Sequence, residues 1–249
     1  MSSPMKRRSV LAGLGALFTA GCSKIGESQA FIGLVDGAEK LHRGVHRALG
    51  GRSAMAREYD VADISPFFRG NGNTEITTPE YRAQIASGFA DWRLDVRGLV
   101  ERPLSLTMDQ ILGLPQRTQI TRHDCVEGWS AIGEWTGPQL STILDLAGLK
   151  PEAEFIVFRC ADSFGDAPYY ESCDLDDAMH PQTIVAHQLN GEPLPERNGA
   201  PLRLRIERQL GYKHAKYLTA IEAVASLHGV EGGKGGYWED RGYQWYAGV

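Results

Sequence analysis

The sequence predicts a mixed α+β domain, and three observations carry that expectation. Short runs of strand character and short runs of helical character alternate irregularly, without the regular βαβ rhythm of a parallel sheet. No stretch repeats another at a fixed period. With 249 residues, 42% of them hydrophobic, the chain can bury an ordinary core as one large domain or two small ones. The formal charge of -5 is spread without a basic block, which argues against the phosphate-tracking surface that nucleic-acid binding needs.

In chain order, residues 1–22 read as an export signal: a basic start, a short apolar run and small residues before Cys22. The run from Val10 to Ala20 is far short of the roughly 20 residues of a permanent membrane helix. Arg7 and Arg8 resemble a twin-arginine signal, and "TAGC" resembles a lipoprotein processing site. The expected location is therefore the periplasm, with or without a membrane anchor on a lipidated Cys22. An N-terminal helical segment is expected over 23–60 and the main domain over 61–249. Phe31, Leu34, Val35, Ala38, Leu41, Val45 and Leu49 recur at three and four, predicting an amphipathic helix that Gly50-Gly51 stops. His42 and His46 lie one turn apart there, yet no third metal ligand is evident nearby.

"ISPFFRGNGNTEITTPEY" reads as an irregular loop crossing the surface or lining a pocket. "WRLDVRGLV" alternates as a strand, and Thr107 with Gln110 makes a capping box for a short helix ending at Leu112. "RTQITRH" is a strand running into Cys125. "GPQLSTILDLAGL" is a helix with Gly148 as its stop. "FIVFRCAD" is a buried strand, "DLDDAMHP" a helical turn, "TIVAHQLNGEPLP" a strand with a turn, and "PLRLRI" and "YLTAIEAVA" are further strands. The tail "GGKGGYWEDRGYQWYAGV" carries enough aromatic area to fold back onto the body.

Two stretches carry the chemistry. "TRHDCVEGWS" places Cys125 at a strand end. With the signal removed, Cys160 and Cys173 remain beside it, an awkward number for an oxidising compartment, and no C-x-x-C points to zinc. "NGAPLRLRIERQLGYKHAKYL" gathers Arg203, Arg205, Arg208, Lys213, His214 and Lys216 around a glycine. Planar Arg forks, Lys charges and exposed backbone N–H groups make an anion cradle suited to a phosphate.

"HDCVEGWSAIGEWTG", "DLDDAMHPQTIVAHQLNGEPLPERNGAPLRLR" and "LGYKHAKYL", in that order, resemble the molybdopterin domain of the sulfite oxidase family, nearest its periplasmic methionine-sulfoxide reductase branch. The similarity runs from about Ser65 to Ala225. It implies a sulfite oxidase-type fold of mixed β-sheets with short helices, a molybdopterin (molybdenum) cofactor, and two-electron oxygen-atom transfer on a small or sulfur-containing substrate. It implies that Cys125 is the thiolate on molybdenum, a role that suits a soft ligand, with Glu127 and Trp129 fixing the strand end around it. It further implies that Asn198 and Arg203 hold the pterin, and that His214, Ala215 and Lys216 bind its phosphate. Cys160 and Asp162 fall at a strand end that contacts the pterin, while Arg69 and Asn71 fall in a loop over the cofactor. Tyr169, with Tyr170 as fallback, would reach the metal oxygen. By its place in the strand, three residues before Cys125, Arg122 either offers charge to an anionic substrate or pterin or points into a salt bridge. Arg69, Arg122 and Arg159 are the arginines available to a sulfite-type dianion.

Only about two dozen residues follow Ala225, so no immunoglobulin-like domain is expected, and electrons would pass to or from a separate haem-containing protein, in or near the membrane. Two rivals stand beside this reading. One is a metal-free enzyme with Cys125 as nucleophile and His123 or His214 as base, with His123 placed on the wrong side of the strand. The other is a non-catalytic lipoprotein that binds an anion or a partner through the basic cluster.

Overall fold

The computed structural model describes residues 28–51 and 53–249. The expected export signal, with Arg7, Arg8 and Cys22, lies outside the described residues. Contacts divide the chain into two units, residues 1–49 and 50–249. In the first, α1 (Gln29–Gly50) forms where the three-four spacing predicts a helix. Phe31, Leu41, Val45 and Leu49 are exposed on it, and the rings of His42 and His46 lie 4.1 Å apart. Among the described residues no group of three or more His, Cys, Asp or Glu is placed to hold a metal ion, and no helix is long and apolar enough to cross a membrane.

The second unit starts before the boundary at residue 61 expected from the sequence. Ala56 N–H donates to Gln182 Oε1 at 2.7 Å, and Glu58 forms an antiparallel bridge to Thr121. These residues cover the outer edge of a sheet that would otherwise expose unpaired backbone groups.

The strands are β1 (Arg93–Gly98), β2 (Leu104–Thr107), β3 (Gln116–Cys125), β4 (Trp129–Pro138), β5 (Phe155–Phe164), β6 (Ala167–Asp174), β7 (Ile184–Ala186), β8 (Gln188–Leu189), β9 (Glu192–Pro193), β10 (Arg203–Arg205) and β11 (Leu218–Val224). They build a five-stranded sheet in the order β2-β1-β11-β5-β6, a four-stranded sheet β3-β4-β8-β9, and the pair β10-β7. Within the five-stranded sheet β1 runs parallel to β11 and the other neighbours are antiparallel. The fold is mixed, as the irregular alternation predicts. The helices are α2 (Pro79–Ala86), α3 (Met108–Leu112), α4 (Leu140–Ala147) and α5 (Leu175–Ala178). Among them, α2, β2, β4 and β6 were not expected as separate elements.

Local chemistry accounts for several ends. Thr107 Oγ1 accepts from Gln110 N–H at 3.1 Å while Gln110 Oε1 accepts from Thr107 N–H at 2.9 Å, the reciprocal box that starts α3. Strand β5 is covered on both faces. Ile156 and Phe158 pack into the main core with Leu140, Ile143 and Leu144 of α4, whereas Val157 faces Tyr169, Tyr170, Val230 and Tyr237. Burial on both faces is why "FIVF" reads as an unbroken apolar run. The four-stranded sheet has its own core around Trp135, Phe68 and Leu189. The tail folds back on the body as its aromatics suggest, with Leu210 N–H donating to the Ala247 carbonyl at 2.8 Å and Tyr237 N–H to the Tyr170 carbonyl at 3.0 Å.

Candidate active site

Strand β3 ends at Cys125 and returns as β4 from Trp129 through a three-residue turn. Gly128 closes it with φ +84, donating its N–H to the Cys125 carbonyl at 3.0 Å. A side chain there would be strained, so the glycine holds the hairpin tight and the cysteine at its tip. Beside Cys125 lies a cleft with about 680 Å³ of empty volume. Four other segments contribute to it: the loop Asn71, Gly72 and Asn73; Asp162, Phe164 and Tyr169 from β5 and β6; Tyr212, His214 and Lys216; and Trp238 and Tyr243 of the tail. Glu127 ties the hairpin to the loop, accepting from Trp129 Nε1 at 3.0 Å and from Gly72 N–H at 3.4 Å.

The strand's period of two decides which neighbours face inward. Cys125, His123, Thr121 and Gln119 are buried on one side, and Arg122 is exposed on the other. His123 therefore shares a face with Cys125; placing it on the wrong side was an error of parity, because residues two apart in a strand point the same way. Arg122, an odd number of residues from Cys125, is turned away and pairs through Nε with Asp124 Oδ2 at 2.9 Å. It does not line the cleft.

Behind the cleft the cations are buried. The guanidiniums of Arg203 and Arg205 lie over the Trp135 ring at 4.9 and 4.4 Å from its centroid, and all three side chains are out of water. Arg205 is neutralised by Glu207 at 2.6 Å and donates to His123 Nδ1 at 2.9 Å. Since arginine can only donate, the proton of neutral His123 sits on Nε2. That nitrogen is buried with no partner, facing Gly211, where an added Cβ would come within 2.5 Å of it. Burial, then His214 and Arg205, hold His123 well below the usual histidine range. His214 is likewise neutral, chiefly from burial. Its Nε2 donates to the Gln209 carbonyl at 3.0 Å, which leaves Nδ1 a buried acceptor without a partner.

Arg203 and Lys216 differ from Arg205 in their counter-ions: among the described residues no carboxylate lies within 4.0 Å of either. Arg203 donates to the carbonyls of Asn198 at 3.0 Å and His214 at 3.4 Å, and its Nε is unpartnered. Lys216 Nζ donates to the carbonyls of Asn73 and, at 3.2 Å, Arg197. Burial, with Arg203 adding to it, lowers Lys216 to about 7; burial, with Arg205 adding to it, lowers Arg203 to about 9. Such depressed cations favour an added anion. Asn71 Oδ1 and Asp162 Oδ1 are further buried acceptors without partners. Unpartnered buried acceptors on one cleft, with Lys216 on its lining and Arg203 behind it both without a carboxylate within 4.0 Å among the described residues, suit a polar ligand that carries an anionic group.

Among the other expected residues, Asn198 positions rather than lines: its Nδ2 donates to the Arg69 carbonyl at 3.2 Å and its own carbonyl takes Arg203. The Arg69 side chain is exposed. Ala215 is wholly buried, its carbonyl accepting from Leu204 N–H at 2.7 Å. Cys160 packs against the core and does not line the cleft, and Cys125, Cys160 and Cys173 are all free thiols. Tyr169, not Tyr170, faces the cleft. The Tyr169 hydroxyl donates to the Tyr212 carbonyl at 2.7 Å, whereas Tyr170 turns to Asp240 at 2.6 Å. Arg159 is occupied by Glu222 at 3.2 Å and Glu231 at 2.7 Å. Burial raises the Cys125 thiol, the reverse of an activated nucleophile, which disfavours the metal-free cysteine enzyme. Sequence reading missed Asn73, whose Nδ2 donates to Asp162 Oδ2 at 3.0 Å while its carbonyl takes Lys216. It also did not place Phe164, Tyr212, Trp238 and Tyr243 at the cleft, although the tail aromatics were a signal.

Residues 80–228 match the oxidoreductase molybdopterin binding domain family. The chain is 45% identical over 159 residues to a putative protein-methionine-sulfoxide reductase subunit YedZ1 of Azospira oryzae, covering 64% of this chain and 56% of that protein. It is 34% identical over 184 residues to the protein-methionine-sulfoxide reductase catalytic subunit MsrP of Xanthomonas axonopodis pv. citri, covering 70% and 56%. The chain thus spans a little over half the length of these curated relatives. Among solved structures it resembles the sulfane dehydrogenase SoxCD of Paracoccus pantotrophus, with a TM-score of 0.51 and 26% identity over 55% of this chain and 39% of that one. Cys125 and the buried cations behind the cleft all fall inside the family match, and the chain belongs to the oxidoreductase molybdopterin binding domain family.

Proposed function

We propose that this chain is the catalytic domain of a molybdenum-cofactor oxidoreductase that removes the oxygen atom of a sulfoxide. In balance, the sulfur–oxygen bond breaks, two electrons and two protons are consumed, and the products are a thioether and water. The electrons are supplied by a separate haem-containing protein, one at a time. The relatives named as methionine-sulfoxide reductases support the direction of the reaction. The observation that carries the reading is the single cleft that has the Cys125 thiol at one side and the counter-ion-poor Lys216 at another, with Arg203 behind.

Cys125 would ligate the metal, and a bound cation would draw off a thiol proton that burial otherwise retains. Lys216 and Arg203 would neutralise the phosphate of the pterin, with the Nδ1 of His214, Asn71 and Asp162 meeting its polar edges. When bound, the cofactor supplies the two-electron oxygen-atom transfer. Around it the protein orients and excludes water. Burial, then Glu171 and Glu239, push the Tyr169 phenol well up, so at neutral pH it is a hydrogen-bond partner rather than a proton source. The location we propose is the periplasm, supported by the signal-like composition of residues 1–22.

The test is elemental analysis and molybdenum X-ray absorption on the purified holoenzyme. The wild type should carry about one molybdenum with a thiolate sulfur that Cys125→Ser removes together with turnover. A metal-free protein, or a Cys125→Ser variant with unchanged absorption and turnover, overturns the reading.

A further inference from the structure

The cleft has two unlike sides. One is polar, made by Asn71, Asn73, Asp162, His214 and Lys216; the other is aromatic, made by Phe164, Tyr169, Tyr212, Trp238 and Tyr243. Trp238 and Tyr243 lie outside the 80–228 family match, so two of the five aromatic residues come from a segment that match does not cover. They stack at 5.3 Å with 28° between ring planes. Phe164 meets Trp238 at 5.5 Å, and Tyr212 meets Tyr243 edge-on at 5.2 Å and 86°. Tyr243 is 41% exposed, which puts it at the mouth.

This wall is held rigidly. Tyr243 N–H donates to the Trp238 carbonyl at 3.0 Å, and Trp245 Nε1 donates to Ser172 Oγ at 2.8 Å. Glu239, between the two rim aromatics, is buried and ion-paired to Lys213. A rigid aromatic surface can select a substrate by its substituents, because sulfur and alkyl groups gain from contact with ring faces. It carries no positive charge to hold a small dianion. The arginines that could clamp one, Arg69, Arg122 and Arg159, do not line the cleft.

Resting on the sulfoxide reading above, we propose that Trp238 and Tyr243 are specificity-determining residues that pack the apolar substituents of a bulky sulfoxide, such as a methionine sulfoxide side chain within a peptide. Small substrates gain little from the wall. An apolar contact of this kind discriminates by roughly 10-fold to 200-fold.

The experiment is steady-state kinetics of the molybdenum-loaded holoenzyme with reduced viologen as one-electron donor, comparing a peptide methionine sulfoxide with dimethyl sulfoxide. In Trp238→Ala and Tyr243→Ala, KM for the peptide should rise about 10-fold, while kcat on both substrates and KM for dimethyl sulfoxide stay within about 2-fold. Trp238→Phe should restore most of the peptide KM, and it serves as the decisive variant if alanine lowers the melting temperature or the metal content. Parallel changes on both substrates, or none, overturn the inference and leave the proposed function standing. A wild-type holoenzyme that reduces no sulfoxide overturns both.

Discussion

Lys213 and Lys216 stand on one short segment, both out of water, in opposite electrostatic company. Lys213 lies between two buried carboxylates, Glu171 at 2.6 Å and Glu239. Burial works against its charge, but the two carboxylates outweigh it and raise its pKa. Lys216 has backbone carbonyls as its hydrogen-bond partners, and burial with Arg203 lowers it to about 7. Arg205 and Arg203 repeat the contrast two residues apart, the first closed by Glu207, the second without a carboxylate in reach among the described residues. A buried cation with its counter-ion in place belongs to the framework, and one without it marks where an external anion is wanted.

The sharpest way to break that contrast is to remove the framework cation. Lys213→Met leaves Glu171 and Glu239 buried without a cation, a change of about 3–5 kcal/mol. Urea denaturation of the metal-free protein at pH 7 should show that loss. Because Glu239 sits on the tail, proteolysis after residue 228 should quicken as well. Adding Glu171→Gln should recover part of the stability. A Lys213→Met protein as stable as the wild type would dissolve the distinction.

The companion change should behave in the opposite way. Lys216→Met removes a buried charge that lacks a carboxylate partner, so the metal-free protein should be at least as stable as the wild type in the same urea experiment. The loaded protein should hold its cofactor more weakly by about 2–5 kcal/mol, read as release under mild denaturant. A variant that is destabilised yet retains cofactor normally would make Lys216 a framework residue like Lys213.

A smaller effect follows from proton linkage. An anion beside Lys216 raises its pKa from about 7, so loading takes up a proton wherever the free protein has lost one. Cofactor affinity should be flat below pH 7 and fall above it, by at most roughly tenfold per pH unit, until the raised value is reached. Asp162 faces Lys216 and is itself raised, chiefly by burial, so it modulates the slope without reversing it. The metal-free protein shows the mirror image. The depressed Lys216 pKa makes its stability fall as pH drops from the ordinary lysine range, roughly 10, toward 7. Equilibrium dialysis and denaturation over pH 6–9 measure the two slopes.

What could be read in advance was local. The Thr107–Gln110 box and the Gly148 stop, with φ +71, depend on a few adjacent residues, and both form as the sequence implies. The cysteine at a strand end and the basic run near residue 210 were likewise visible because each is a contiguous stretch. What escaped depends on docking between distant segments. Nothing local shows that Asn73, in an irregular loop, lies against Asp162 and Lys216, 89 and 143 residues later. The tail's aromatic content was plain, but its place at the cleft follows from the Lys213–Glu239 pair and from Tyr170 with Asp240, contacts that no periodicity encodes. Strand β4 is masked in the sequence because "WSAIGEWTG" carries motif residues and two glycines. The same residues alternate outward and inward from Ser130 to Gly137.

Arg122 offers the finest test of how far position in a motif implies a role. It lies within the stretch that carries Cys125, where the sequence leaves it between binding charge at the site and forming a salt bridge. Alternation along β3 turns it outward instead, 53% exposed at the side chain, against Asp124 at 2.9 Å. An exposed pair of this kind contributes about 0–1 kcal/mol, and less in salt. Arg122→Ala should therefore change urea stability by less than about 1 kcal/mol and leave cofactor retention where it was, in contrast to Lys216→Met. Its turnover at 0.5 M salt should match the wild type under the same conditions. Should Arg122→Ala instead lose cofactor as Lys216→Met does, the assignment of ligand-facing and framework charges by burial and counter-ion would fail at its simplest case.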